Sequence, residues 1–539
     1  MHLTIQSKKS QRGATIVLLL AMLPLLLLPL IGLAVDGTRL YIVQSKLSAA
    51  VDGAALGSGR LLGTTANTTE IAGEFLNVNF PSGYWNTSNM QRNITFTSNL
   101  GVQTISIYAT VNLPLTFARM LGQTASLVSA SAVATRRVTR VEIVLDRSES
   151  MNSTDPVTGA NVFTTMKAGA EWFASQFTPG YDEVGLVVFS GGALVAYPTT
   201  RPYNNSPTSA GGPDKTFSTN PATQTGVIFD QLNAMDHGGG TGTPEALALA
   251  YIELQKAHNR DLAANGVDNT LNTIVLFTDG VPDAIPTYAN DPTSNSLNGG
   301  STCSYNPANS TASRQMRGYL VAPGKPPGNG NAFPGWGTTY ALIRLPAYDT
   351  SGSLTTWLGG GSPGAGDLTP GAPQSSLSGC AYLGSNLKTC GSSGHNCFAN
   401  DLAKVPPVDL YGYSTTGTAY TNSVMSNGTV TWSPNTGSAN FGTSPTRGYD
   451  VSAAAWNETD NIGKAIRQQT AMNQIQIFTI GYSGNSGTDI GLLNRLANTP
   501  QSSSFVSTQP IGKFYLVNST SQLISAFDAV ASSLLRLAQ

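Results

Sequence analysis

Charge is what this chain has least of. Of its 539 residues, 11% are Asp, Glu, Lys or Arg, against about 25% in an average soluble domain. The formal net charge is -1, which gives no basic face and so excludes nucleic acid as a partner. There are four histidines, His2, His237, His258 and His395, and they offer little to an enzyme. His237 lies beside a Gly-rich loop, where an ordinary polar loop residue is expected. No Gly-Lys-Ser/Thr follows Gly238–Gly240, so that loop is not a nucleotide-binding P-loop. Gly360 to Gly364 (GGSPG) has the spacing of a nucleophile elbow, but no strand precedes it and the required context is missing. Low charge with abundant Gly (57) and many Ser, Thr and Asn fits an exported protein.

Cysteine is also scarce. Cys303, Cys380, Cys390 and Cys397 all fall in one loop-rich stretch, which points to two disulfides formed in an oxidising compartment. Three pairings are open. A zinc site using His395 with Cys390 and Cys397 is the rival, without the paired C-x2-C spacing that would favour it.

Long apolar runs are absent but for one. Residues 1–12 carry Lys8, Lys9 and Arg12, and Gly13 to Val35 then runs without a charge. As a helix that run reaches about 34 Å, enough to cross a bilayer. The basic flank keeps the N-terminus cytoplasmic and sends the bulk of the chain outward. A cleaved secretory signal shares this pattern, but the run is too long and lacks a small-x-small end. The expectation is a single-pass anchor in the cytoplasmic membrane, with the C-terminal bulk periplasmic or extracellular. Leu40, Val43, Leu47, Ala50 and Ala54 continue a helical stripe beyond it.

These segments carry a resemblance. Arg12 to Leu20 (RGATIVLLL), a following Leu-Pro-Leu, Gly32 to Gly37 (GLAVDG) and Gln44 to Leu56 (QSKLSAAVDGAAL) resemble the N-terminal segment of TadE/TadG-like proteins of tight-adherence (Tad, or Flp) pilus-assembly systems. Prepilin-like relatives carry Glu five residues after the Gly that ends the basic leader, where this chain has Leu18. The resemblance therefore implies a retained anchor.

Residues 61–137 read as a small α+β spacer near the membrane. Ile71, Phe75 and Val78 suggest a short helix, and alternation at Ile94–Phe96, Ile105–Val111 and Val128–Ala134 suggests strands. From 138 onward, strands alternate with helices, the pattern of a mostly parallel sheet covered on both faces. Strands are expected at Val141–Leu145, Val184–Phe189, Ala193–Tyr197, Thr273–Thr278, Ile475–Ile480 and Phe514–Val517. Helices are expected at Phe163–Phe177, at Glu245–Ala257 entered through Pro244, near Ile462–Met472 and around Leu492–Leu496. A last helix carries Leu523, Phe527, Val530 and Leu534, with Ser519 and Gln522 at capping-box spacing. Between the halves of this domain, 138–284 and 451–539, lies a Gly/Ser/Pro-rich insert at 285–450 without sustained period.

Hard oxygen donors gather where strands end. Asp146, Ser148 and Ser150 follow the first strand on alternate residues, Thr241 and Thr243 precede a helix, and Asp279 follows the strand Thr273–Thr278. Open parallel sheets bind ligands at this edge. Two carboxylates with three hydroxyls suit Mg²⁺ or another divalent cation, leaving a coordination position for an outside ligand. The order D-x-S-x-S, G-G-T, T-D-G resembles the von Willebrand factor type A domain, an α/β Rossmann-like fold. That resemblance implies a metal-ion-dependent adhesion site at Asp146, Ser148, Ser150, Thr241 and Asp279, completed by a carboxylate from a protein partner. Other Tad pilus components or a surface target are the partners implied. Glu149 either adds charge near the ion or faces solvent, and Thr243 either supports the loop or enters the helix. The chain then reads as a membrane-anchored, non-catalytic, Mg²⁺-dependent binding module of pilus assembly or adhesion. The alternative is a scaffold, or a minor pilus-associated component, whose metal site is vestigial.

Overall fold

A computed structural model describes residues 12–63, 67–198, 211–218, 220, 222–223, 225–235, 237, 240–290, 315–321, 345–348, 354–358, 380–383, 408–409, 411–417, 448–484 and 488–538. The chain divides between Arg136 and Arg137 into two compact units. Of the cysteines, Cys303, Cys390 and Cys397 lie outside the described residues and Cys380 is described in its backbone alone. The disulfide and zinc expectations therefore fall outside them too.

In the first unit one helix, α1 (Arg12–Gly59), replaces the two successive segments expected at 13–35 and 36–60. Nothing between Val35 and Leu40 stops it, since Gly37 alone is too weak a breaker. Its distal stripe Val43, Leu47, Ala50, Val51 and Ala54 is buried. Among the described residues no helix is long and apolar enough to cross a membrane, and the side chains of 12–21 and 23–29 lie outside them. Helix α2 (Thr68–Asn79) is capped by the Asn67 side chain, which accepts from the Glu70 N–H. Strands β1 (Ser88–Asn99), β2 (Val102–Pro114) and β3 (Ala125–Arg137) form a sheet in that order. Ile105, Ile107, Ala109 and Val111 alternate into one core with the α1 stripe. The two-residue β1–β2 turn puts Leu100 (φ 47°) and Gly101 (φ 80°) in the left-handed region, as tight hairpins require.

The second unit holds β4 (Thr139–Asp146), α3 (Val162–Ser175), β5 (Glu183–Phe189), β6 (Ala193–Tyr197), α4 (Val227–Ala234), α5 (Thr243–Asn265) and β7 (Leu271–Thr278). The insert follows. It is not without regular structure: β8 (Ala284–Asn290), β9 (Gln315–Val321), a hairpin of β10 (Leu345–Tyr348) and β11 (Leu354–Leu358), and β12 (Cys380–Leu383) fall within it. β12, β9 and β8 pair in that order as a second small sheet. The domain resumes with α6 (Gly448–Gln468), β13 (Ile475–Tyr482), α7 (Ile490–Leu496), β14 (Phe514–Val517) and α8 (Leu523–Ala538). Helix α6 starts well before the expected Ile462, because Ala453 to Trp456 are buried on every side and show no amphipathic period. The capping box is displaced by a turn: Ser519 caps Thr520–Gln522, accepting from the Ser521 N–H, while Gln522 reaches back to the Asn518 N–H.

The large sheet runs β14-β13-β7-β4-β5-β6. All neighbours are parallel except the edge strand β6. Phe173 of α3 and Phe277 of β7 meet Phe527 of α8, each pair with ring centroids 6.0 Å apart. The chain leaves β4 for β5 on one side and returns to β7 on the other, so the order reverses between β4 and β7. At such a switch point the connecting loops diverge and leave a crevice beyond the strand ends.

At the opposite end of β4, Arg140 is fully buried. Its Nε donates to Glu183 (2.6 Å), Nη1 to Asp268 (2.9 Å) and Asn272 (3.1 Å), and Nη2 to Asp261. His258 meets Asp268 at 2.7 Å. Arg140→Ala would leave Glu183 and Asp268 buried without their main cation, a loss of about 3–5 kcal/mol. Urea unfolding of the full chain should show the second unit melting at markedly lower denaturant.

Candidate functional site

The loop that follows β4 is fastened before it reaches the crevice. The Arg147 N–H donates to the Phe189 carbonyl of β5 (2.8 Å), and Arg147 Nη2 donates to Ser190 Oγ (3.2 Å). Asp146 is fully buried. Its Oδ1 accepts from the Ser148 N–H at 2.8 Å, an Asx turn, and its Oδ2 accepts from Thr278 Oγ1 at 2.6 Å. Burial pushes the Asp146 carboxyl above its ordinary value, against the pull of the Ser148, Thr278 and Asp279 donors. Ser148 Oγ and Ser150 Oγ lie 3.0 Å apart, and Ser150 Oγ donates to Asp279 Oδ1 at 2.7 Å. Four of the five expected residues thus form one chain of oxygens across the β4–β7 switch point.

Thr241 joins from the loop before α5. A Cβ built on Gly280, the residue after Asp279, would lie 3.1 Å from Thr241 Oγ1. The Thr241 N–H donates to Asp283 Oδ1 (2.5 Å), and the Asp283 N–H donates back to the Thr241 carbonyl (2.9 Å). Gly242 passes so close to Ser190 and Gly191 that a Cβ would strike the Gly191 carbonyl oxygen. A side chain there would push Thr241 away from Asp279. Thr243 begins α5 with its Oγ1 buried and given no hydrogen-bond partner among the described residues.

Asp283, Thr278 and Glu245 were not singled out by motif spacing. Thr278 stands inside the T-D-G motif. Asp283 lies three residues beyond that motif and carried no signal beyond being an acid in an acid-poor chain. Glu245 Oε2 accepts from the Ala193 N–H (2.8 Å), which pins the loop before β6 to α5. Glu149 does not simply face solvent: its Oε2 lies 3.6 Å from His237 Nδ1. The His237 ring meets Phe163 edge-on at 5.4 Å, and Lys167 Nζ lies over the Phe163 ring, 4.8 Å from its centroid.

Among the described residues no three His, Cys, Asp or Glu side chains are grouped to hold a metal ion. The donor set here is different in kind, with two carboxylates and three hydroxyls. It lacks sulfur and imidazole, which suits a hard, hydrated cation such as Mg²⁺ better than zinc.

Residues 13–60 match the model of the Flp pilus-assembly TadE/G-like family. Residues 141–281 match that of the von Willebrand factor type A domain. The chain joins these two modules. Both resemblances read from the motifs are therefore found, the first over residues 13–60 and the second over residues 141–281. Among solved structures, the pilus adhesin SpaC from Lactobacillus rhamnosus GG is similar at 14% identity, covering 84% of this chain and 35% of its own, with a TM-score of 0.30. The PilB minor pilin from Streptococcus sanguinis is similar at 13%, covering 84% and 79%, with a TM-score of 0.31. The vWF domain of the type V pili tip protein Mfa5 from Porphyromonas gingivalis is similar at 13%, covering 75% and 97%, with a TM-score of 0.30. This chain spans about a third of the length of SpaC. No curated protein matches it.

Beside this cluster, a segment of the insert docks on α5 and α6. Tyr411 donates to Glu245 Oε1 (3.1 Å), and Asn461 Nδ2 donates to the Ser414 (2.8 Å) and Thr416 (3.0 Å) carbonyls. Asp409 Oδ1 accepts from the Tyr411 and Tyr413 N–H groups. Its carboxyl faces that of the fully buried Glu458, with which it shares a hydrogen bond, and among the described residues no further donor reaches Asp409 Oδ2 or the Glu458 oxygens. Burial pushes Asp409 up to about 6, with the nearby Glu245 adding to the rise, and burial beside Asp409 pushes Glu458 well above the carboxylate range. The fold binds these protons more tightly than the unfolded chain does. Docking of 408–417 should therefore be firmest below about pH 4 and weaken as pH rises through about 6 and beyond. Hydrogen exchange around Asp409 should accelerate beyond the intrinsic rate as pH rises through about 6. Glu458→Gln should remove most of that excess.

Proposed function

We propose that this chain is a membrane-anchored, non-catalytic component of a Tad (Flp) pilus system that binds a protein ligand through Mg²⁺. The observation that carries the reading is the run of oxygens from Asp146 through Ser148 and Ser150 to Asp279, with Thr241 beside Gly280. Ser148, Ser150 and Thr241 would coordinate the ion directly or through water, and Asp146 and Asp279 would hold it mainly through waters. The ion supplies a vacant position for a partner's carboxylate. What the protein itself supplies is preorganisation. Thr278 and the Ser148 N–H fix Asp146, Asp283 fixes the Thr241 backbone, and Arg147 ties the first loop to β5.

The charge-free run Gly13–Val35 behind Lys8, Lys9 and Arg12 supports a single-pass anchor in the cytoplasmic membrane with the binding edge outside the cytoplasm. The TadE/G-like match at 13–60 supports pilus assembly or pilus-mediated adhesion as the setting, with other pilus components or a surface target as partner.

One observation favours a second reading. Ser150 already satisfies Asp279, and Thr278 satisfies Asp146, so the cluster can be stable without an ion and serve as a scaffold joint. Calorimetric titration of the full chain with Mg²⁺ separates the two. Saturable binding is expected, with stability rising by about 2.7 kcal/mol at a hundredfold excess over Kd. Asp146→Ala and Asp279→Ala should abolish both effects while keeping the far-ultraviolet circular dichroism of the parent. Absence of binding in the parent, or equal binding in the variants, would leave the scaffold reading standing.

A further inference from the structure

The connection between β2 and β3 hangs low against α1. Asp36 Oδ1 accepts from the Thr116 N–H (2.9 Å), and Oδ2 accepts from the Phe117 and Ala118 N–H groups (2.8 Å each). Arg39 donates from Nη1 to Thr116 Oγ1 (2.5 Å) and from Nη2 to the Trp85 carbonyl (3.5 Å). One turn before Asp36, Phe117 covers Gly32 so closely that a Cβ there would lie 2.5–2.8 Å from three of its side-chain carbons. Gly32 lies three residues inside the charge-free run that ends at Val35, about 4.5 Å back along the helix. The loop is therefore pinned beside the end of the very stretch that is too apolar for water.

What this end of the unit exposes is apolar and aromatic, with cationic edges. Met120 is 87% exposed at the tip of the loop, Tyr41 is 74% exposed, Leu33 62% and Trp85 44%. Arg119 stands exposed beside Met120. Asp36, the acid at this level, is sealed. Burial opposes its charge, but the three backbone donors and Arg39 hold its carboxyl below the usual value, and it presents no anion outward. Bare methionine and leucine flanked by Trp, Tyr and Arg match a bilayer interface, where aromatic rings sit among headgroups and guanidinium groups reach lipid phosphates.

We propose that the Leu115–Gln123 connection is a second membrane contact. Met120 enters the headgroup region of the leaflet from which α1 emerges, and Arg119 faces anionic lipid. The proposal rests on the reading of 13–35 as the anchor. It gives the first unit a fixed height and tilt on the membrane, because one helix alone leaves tilt free while a helix and a loop do not.

Depth-dependent quenching tests it. The full chain is reconstituted in vesicles of equal parts phosphatidylcholine and phosphatidylglycerol, unlabelled, with phosphatidylcholine spin-labelled near the headgroup to report on positions 120 and 133, or with phosphatidylcholine spin-labelled deep in the acyl chain to report on position 22, which lies about 20 Å along the helix from Val35. Emission added over the parent is followed in Met120→Trp, in Val133→Trp and in Met22→Trp. Val133 is an exposed residue of β3 about 30 Å along that strand from the loop, and Met22 lies within the charge-free run. The headgroup label should remove most of the added emission at 120 and leave that at 133. Equal retention at 120 and 133, with Met22→Trp still quenched, overturns the loop contact and leaves the anchor. An unquenched Met22→Trp in protein that alkaline carbonate strips from the vesicles overturns the anchor reading and the loop contact with it.

Discussion

Two carboxylates at the switch point between β4 and β7 must be kept out of water and yet kept usable. Asp146 is fully buried and Asp279 nearly so, and a buried carboxylate is tolerated where donors surround it. The sheet supplies those donors in a set order. Thr278 comes from the next strand, Ser148 from the same turn and Ser150 from one turn further. The loop of Thr241 is brought up against them by Asp283 and by the close passage of Gly242 past Ser190 and Gly191. The geometry is thus held by the chain rather than by the ligand.

The same economy of charge runs through the molecule. With 11% charged residues, many of the acids lie inside: Asp36 against backbone N–H groups, Glu183 and Asp268 around Arg140, Asp460 between Arg495 and Lys464, and Glu458 against Asp409. Asp155 is another, accepting from Thr520 and Ser519 and so tying the first loop of the site to the entry of α8. Each marks a place where one segment is fixed to another far away in the chain.

Much of this was legible in the residues. Val141–Leu145, broken only by Glu142, and Thr273–Thr278 run mostly apolar without alternation, as strands covered on both faces do, and both are central in the sheet. The stripe Phe163, Met166, Ala170, Phe173 is the buried face of α3. Asp146, Ser148, Ser150 and Asp279 stood out as candidates because each stands where a strand run gives way to small polar residues, and Thr241 because it sits in a Gly-rich loop just before a helix. Other features were hidden for physical reasons. Glu142 sits in the middle of β4, where a charged residue would argue against a buried position, and is accommodated because Gly185 stands directly opposite and leaves room for its carboxyl. The start of α6 is buried all round and shows no stripe. Glu245, Asp283 and Asp409 take their meaning from loops that converge only after the sheet forms, so no local spacing could announce them.

The central claim is that these oxygens hold a divalent ion where a partner can reach it. Anomalous scattering from Mn²⁺ in crystals of the chain tests this most directly, because it locates the ion without reference to binding curves. A peak within about 2.2 Å of Ser148 Oγ and Ser150 Oγ, with Ser150 turned away from Asp279, is the predicted result. Crystals in Mn²⁺ that show no peak at the β4–β7 edge, with the Ser150–Asp279 hydrogen bond intact, would contradict it.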